Sequence, residues 1–230
     1  MRKTILYVAV LFAQGLSAQI TLIPFTPDIP ASQFTSSLDA FGNEIVAFSA
    51  YVHDLTQSRV VVFEKNGATV TQETYFTPAD AALNDNFGGS VSIDNDFIAA
   101  SSRLNDQVAT NAGAVYMYRK VAGNWIFFQK IIPFDGAADD YFGTKVKVVG
   151  NQLFVHSPNN DPAALPSNSG AVYVYNFNGT SWVFSQKIAP SPGNYTGTST
   201  MQVSNNKLVI ASASGLNTYT YDGSLWNFSS

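Results

Sequence analysis

Short apolar runs separated by tight polar turns fill the chain from about residue 30, and no amphipathic stretch of helical spacing and useful length follows residue 20. Between residues 85 and 131 four such runs follow one another, at 89–93, 97–101, 114–119 and 125–131. Runs of about five or six residues, rich in Val, Ile, Tyr and Phe and bounded by Gly, Asn and Asp, predict β-strands. The breaks carry matching turn chemistry. Asp94-Asn95-Asp96, Gly150-Asn151, Asn178-Gly179, Asn205-Asn206 and Asp222-Gly223 all tolerate the left-handed or tight geometry of a hairpin turn. Third runs such as Ala171-Val172-Tyr173-Val174-Tyr175 are apolar at both odd and even positions. A strand with one wet face would alternate, so these runs predict sheets covered on both sides.

The set of four runs is written nearly twice, about 55 residues apart. Asp85-Asn86-Phe87-Gly88, Gly113-Ala114-Val115-Tyr116-Met117-Tyr118, Trp125 and Gln129-Lys130-Ile131 form one copy. Tyr141-Phe142-Gly143, Gly170-Ala171-Val172-Tyr173-Val174-Tyr175, Trp182 and Gln186-Lys187-Ile188 form the next. Weaker copies flank them: Phe34 to Ala40 with Val60-Val61-Val62-Phe63 upstream, and Met201-Gln202-Val203 with Tyr219-Thr220-Tyr221 and Trp226 downstream. The units fall at about 30–80, 81–134, 135–190 and 191–230. Self-similarity at this period, with four strands per unit, predicts an all-β fold, a β-propeller of about four four-stranded antiparallel blades. A β-helix would need shorter rungs, and a sandwich would not require self-similarity. The fourth unit stops at Trp226-Asn227-Phe228, ahead of any Gln-Lys-Ile equivalent. The expectation is therefore a fragment of a larger propeller, whose open blade edges call for further strands.

Composition adds a compartment. Arg2 and Lys3 precede an apolar run at 5–12, and Leu16-Ser17-Ala18 offers small residues for cleavage before Gln19. Residues 1–18 thus read as an export signal, too short for a membrane-spanning helix of about 20 residues. The mature chain is expected to be secreted or at the cell surface, with no membrane span after cleavage. Without Arg2 and Lys3 the 12 basic residues fall to 10 against 16 acidic ones, a formal charge of −6. No Lys/Arg cluster exists, so a nucleic-acid partner, which needs a basic face, is disfavoured. With no cysteine, stability must come from an ordinary core rather than disulfides.

The Phe-Gly pairs stand just before a Ser/Val strand. Ile98-Ala99-Ala100-Ser101 or Phe154-Val155-His156-Ser157 follows, and then Gly-Ala-Val-Tyr and Trp…Gln-Lys-Ile. This order resembles the FG-GAP repeat of integrin-α-like β-propellers, in the form found in secreted bacterial proteins. The Gly-Ala-Pro element itself is altered: Ala100-Ser101-Ser102 and His156-Ser157-Pro158 stand near its place. The resemblance implies closure with seven blades, hence units beyond these four, and a ligand-facing rim carrying the long loops. On physical grounds Phe87 and Phe142 would be aromatic plugs between blades, each burying roughly 150–250 Å². Gly88 and Gly143 would admit close backbone approach. Trp125, Trp182 and Trp226 read as outer-strand packing residues.

In an up-and-down blade the 2→3 and 4→1 connections share one rim. The long irregular connections, 102–112, 132–141, 156–169 and 189–196, all belong to that class, and the other rim carries only tight turns. Long loops on a rigid scaffold are where binding resides. The candidate ligand-binding residues are Arg103, Asp106, Asp135, Asp139, Asp140, His156, Asn159 and Asp161.

No metal is expected. A calcium loop needs several oxygen ligands around a glycine-permitted bend and a later carboxylate. Asp94-Asn95-Asp96 and Asn84-Asp85-Asn86 are too short and lack both. Nor is a catalytic set apparent: the chain has no His-Glu-x-x-His, Gly-x-Ser-x-Gly, phosphate loop or cysteine nucleophile. The two histidines, His53 and His156, sit in different units. These observations predict a non-enzymatic, exported binding or adhesion module for an extracellular protein or glycan. The alternative is an accessory propeller of a secreted hydrolase whose catalytic domain lies outside this chain.

Overall fold

The computed structural model describes residues 6–14, 17–25, 34–41, 45–50, 58–66, 69–80, 82, 84–162, 168–189, 198–204, 206–212 and 215–229. Every regular element among them is a β-strand. β1 (Leu6–Gln14) and β2 (Ser17–Phe25) pair as an antiparallel hairpin, so the apolar run read as an export signal is drawn here as a strand. Four antiparallel sheets of four strands follow. Blade 1 is β3 (Phe34–Phe41), β4 (Ile45–Ala50), β5 (Arg59–Asn66) and β6 (Thr69–Phe76). Blade 2 is β7 (Phe87–Asp94), β8 (Phe97–Ser102), β9 (Ala114–Val121) and β10 (Asn124–Ile131). Blade 3 is β11 (Lys145–Val149), β12 (Gln152–Ser157), β13 (Ala171–Phe177) and β14 (Trp182–Ile188). Blade 4 is β15 (Thr198–Ser204), β16 (Lys207–Ser212), β17 (Gly215–Tyr221) and β18 (Trp226–Phe228). Strands pair in chain order within each sheet, the up-and-down arrangement of propeller blades.

The two-faced third strands explain the packing. Alternate residues of β9 serve different cores: Ala114, Tyr116 and Tyr118 meet Val60 and Val62 of blade 1, while Val115 and Met117 meet Val146 and Tyr173 of blade 3. Phe154, Val172 and Val174 of blade 3 likewise meet Leu208, Tyr219 and Trp226 of blade 4. Each blade thus buries one face on each neighbour. Phe87 and Phe142 plug these interfaces as expected, Phe142 fully buried with its ring edge-on to Tyr173 at 5.2 Å. Trp125, Trp182 and Trp226 are buried outer-strand packing residues.

Both strand edges are tied to the next blade. A blade's inner strand has one row of backbone N–H groups facing away from its own sheet, and unpaired donors there would be costly. Short side chains of the preceding blade accept them. Val91 N donates to Ser37 Oγ at 2.8 Å and Ile93 N to Asp39 Oδ2 at 3.0 Å. One blade on, Val146 N donates to Ser90 Oγ (3.1 Å), Val148 N to Ser92 Oγ (3.0 Å) and Gly150 N to Asp94 Oδ2 (2.6 Å). On the outer strands Gln129 and Gln186 clasp the backbone of Trp182 and Trp226.

Candidate functional site

Of the four long connections, 102–112 and 132–141 are described throughout and meet at the junction between blades 2 and 3, whereas residues 163–167 and 190–196 of the other two lie outside the described residues. Asp139 N donates to Thr110 O (2.8 Å), Tyr141 N to Asn111 O (3.1 Å) and Phe142 N to Ala112 O (2.9 Å), so the 2→3 loop of blade 2 lies alongside the connection into blade 3. Gly113 is required at this contact: its φ is +91°, and a Cβ there would lie 2.0 Å from Phe142 O. Gly143, at φ +94°, is held close to Ser101 and to the carbonyl of Ala114.

Beneath the loops sits a repeated polar clasp. Asp85 Oδ2 accepts from Asn105 Nδ2 (2.9 Å), and its carbonyl accepts from Ser102 Oγ (3.0 Å). In the next blade Asp140 Oδ2 accepts from Asn160 Nδ2 (2.8 Å) and its carbonyl from Ser157 Oγ (2.8 Å). All six side chains are buried. Asp140 is therefore corrected from a ligand-facing residue to an internal loop support: it is buried, and its Oδ2 accepts from Asn160 Nδ2 and Ala137 N.

Two further expectations change. His156 lies on β12 and is fully buried, and burial, aided by Lys145, pushes its imidazole down to a pKa of about 4. It stays neutral and out of reach of ligand. Asp135 accepts from Tyr173 Oη and Lys187 Nζ, each at 2.6 Å, fixing the entry to blade 3 against β13 and β14. Asp80 does the same with Tyr116 (3.0 Å) and Lys130 (2.6 Å) one blade earlier, which marks the trio as a blade-joining clamp. His53 lies outside the described residues.

The remaining candidates stay on the surface, and most of them converge. Arg103 places its guanidinium 5.6 Å from the centre of the Tyr141 ring. Tyr141 Oη donates to Asp139 Oδ1 (3.1 Å), which also accepts from Asn111 Nδ2 (2.7 Å). Asp106 Oδ1 accepts from Asn111 N (2.7 Å), and Asn159 Nδ2 donates to Asp139 O (3.0 Å). Asp161 performs the Asp106 role in the next loop, accepting from Asn168 N. The hydrogen bond to Asp139, more than burial, pushes the Tyr141 phenol above its ordinary pKa. Tyr141 and Asn111 were not among the residues singled out in the sequence, although a signal existed. Tyr141 stands where the first copy has Asn86; both have positive φ, 54° and 57°. Asn occupies that region readily, whereas a bulky aromatic there is an outlier.

Among the described residues no three His, Cys, Asp or Glu side chains gather to hold a metal ion. Also among them, no helix is long and apolar enough to cross a membrane, which says nothing of strands.

Interlocked four-stranded antiparallel sheets with a loop-bearing rim define the chain as a β-propeller type of protein. Residues 70–118 and 125–175 match the FG-GAP repeat model, so this chain carries FG-GAP repeats, a propeller-type repeat family, across that span. No protein of curated function matches the chain in sequence. Among solved structures, a candidate 6-phosphogluconolactonase from Bacteroides fragilis NCTC 9343 aligns at 10% identity over 98% of this chain and 81% of that one, with a TM-score of 0.45. A likeness of that degree carries nothing about chemistry.

Proposed function

We propose that this chain is an exported, non-enzymatic binding module that engages an extracellular protein or glycan through its loop-bearing rim. The observation that supports this most is Tyr141: a half-buried aromatic held at φ 54°, hydrogen-bonded to Asp139 and with the Arg103 guanidinium near its ring. Backbone strain at a bulky residue persists only where surrounding structure enforces it, and such residues concentrate at ligand sites. A guanidinium, a phenol and a carboxylate side by side offer donors, an acceptor and an aromatic face, which suits polar extracellular ligands. Export rests on the 1–18 pattern, and mass spectrometry of the secreted chain should find Gln19 at its N-terminus.

The deciding experiment is a protein and glycan array probed with the full chain, wild type beside Arg103→Ala. Capture of a defined ligand that weakens at least tenfold in the variant supports the reading. Wild-type capture untouched by the variant, or turnover of a substrate without stable capture, overturns it.

A further inference from the structure

Between blades 1 and 2 lies a cavity of about 500 Å³, walled by Tyr75, Ala79, Tyr118 and Phe127, with Asp80 and Lys130 at its margin. One blade later an aromatic ring lies at the corresponding place, its outer side open to solvent (Phe134, 65% exposed). There the Phe134 ring stands 4.8 Å from Phe184 and 6.0 Å from Tyr173, edge-on to both.

Part of the frame is the same in the two places. Pro78 matches Pro133, Tyr116 matches Tyr173, Phe127 matches Phe184, and Lys130 matches Lys187. Each frame closes with the same clamp, Asp80 on Tyr116 and Lys130, Asp135 on Tyr173 and Lys187. Lys130 Nζ lies 4.9 Å from the centre of Tyr116, Lys187 Nζ 5.2 Å from that of Tyr173. The linings differ in the segment that enters each interval: Ala79 stands where Phe134 stands, and Tyr75, Phe76 and Thr77 stand where Lys130, Ile131 and Ile132 stand. Alanine lacks the phenyl group that phenylalanine carries at this position, which leaves room beside Phe127 and Tyr116 for one ring. The cavity walls are aromatic and exposed, Phe127 at 57% and Tyr75 at 49%.

We propose that this cavity is a docking pocket for one aromatic side chain of a partner polypeptide, seated as the Phe134 ring is seated in the neighbouring interval. Three observations fix the occupant. The neighbouring interval shows an aromatic ring set edge-on against Phe184 and Tyr173, the counterparts of Phe127 and Tyr116. That ring is presented by a short peptide segment, Pro133-Phe134-Asp135. The polar groups at the margin are already engaged with one another, so a sugar's hydroxyls would meet mainly ring faces with few partners left. An edge-on aromatic contact suits the walls instead. The pocket is separate from the Tyr141 cluster and does not depend on what that cluster binds.

The test is an amide-resolved NMR titration of the full chain with N-acetyl-phenylalanine amide, beside N-acetyl-leucine amide and glucose. A ligand of this size at drug-like efficiency binds with a Kd on the order of millimolar. Saturable shifts around Phe127 and Lys130 are expected with the phenylalanine amide, at least tenfold weaker in Ala79→Phe, whose own ring occupies the pocket. Phe134→Ala should open the second interval and add a second set of shifts around Phe184 and Tyr173. That gain carries the test should Ala79→Phe not fold. The proposal is overturned by the absence of saturable shifts in the wild type, by undiminished binding to a folded Ala79→Phe, by preferred binding of glucose or the leucine amide, or by no second set in Phe134→Ala.

Discussion

Gln129 and Trp182 exchange two hydrogen bonds across a blade boundary: Gln129 Nε2 donates to Trp182 O at 3.0 Å, and Trp182 N donates to Gln129 Oε1 at 2.8 Å. Gln186 and Trp226 repeat the pair, at 2.8 Å each. A primary amide thereby imitates the strand that the outer edge lacks. In β10 the ladder skips a residue between Phe127 and Gln129, a bulge of the kind that re-aims a side chain, directly ahead of this glutamine. Gln129→Ala removes both bonds and leaves a part-buried backbone N–H unmatched. It should cost about 2 kcal/mol at roughly 1 kcal/mol per bond. Gln129→Glu should be no better, because its second oxygen faces the Trp182 carbonyl. Urea unfolding of the three proteins checks both.

Gly113→Ala should be among the most disruptive single substitutions. The added Cβ meets the Phe142 carbonyl oxygen at 2.0 Å, on a backbone with φ +91°. Two packed blades must part, at a cost on the order of 4 kcal/mol or more. Gly123, also at positive φ but with nothing within 4 Å, is the control; alanine there should cost only about 1 kcal/mol. Thermal melts of the two variants separate close approach from backbone conformation.

Asp135→Asn tests the clamp against a ligand role. The carboxylate is about one-third exposed, with a side-chain exposure of 34%, so its ion pair with Lys187 is partly screened. The loss should be about 1 kcal/mol of stability, with binding at the rim unchanged. Loss of ligand capture without loss of stability would return Asp135 to the binding surface.

The buried His156 gives stability a pH dependence. Its imidazole titrates near 4 in the folded chain and near 6.5 when unfolded. The unfolded state therefore takes up a proton first as pH falls. Its contribution is intact above pH 6.5 and is lost progressively down to about pH 4, by about 3 kcal/mol at most. Denaturant titrations at pH 7 and pH 4.5 should show that loss in the wild type and a smaller one in His156→Gln.

The blades were legible because each element that defines them is a local pattern: Phe-Gly ahead of a strand, Gly-Ala-Val-Tyr as a two-faced strand, Trp and Gln-Lys-Ile on the outer strand. The joints were less so, because their partners belong to another unit and often to its backbone. Nothing in the letters says that the Gln129 amide meets the Trp182 peptide, although the spacing between copies could have suggested it. The family match shows the same offset, each segment taking the outer strand of one blade with inner strands of the next. At the rim, residue type alone did not separate exposed from enclosed. Asp139 and Asp140 are neighbours in sequence, yet one faces solvent and the other holds Asn160 inside the loop. His156 read as a loop residue because it is polar, while β12 runs on through Ser157 and encloses it.

The most direct measurement pairs stability with binding in Tyr141→Asn. The equivalent position of the preceding copy is Asn86, at φ 57°, so asparagine fits this backbone without the strain Tyr141 carries. If the rim around Arg103, Asp139 and Tyr141 is the binding site, the variant should melt no lower than the wild type and lose capture of the array-identified ligand by at least tenfold. A variant that melts lower and captures that ligand as well as the wild type would contradict it, making Tyr141 a structural brace and placing the binding surface elsewhere.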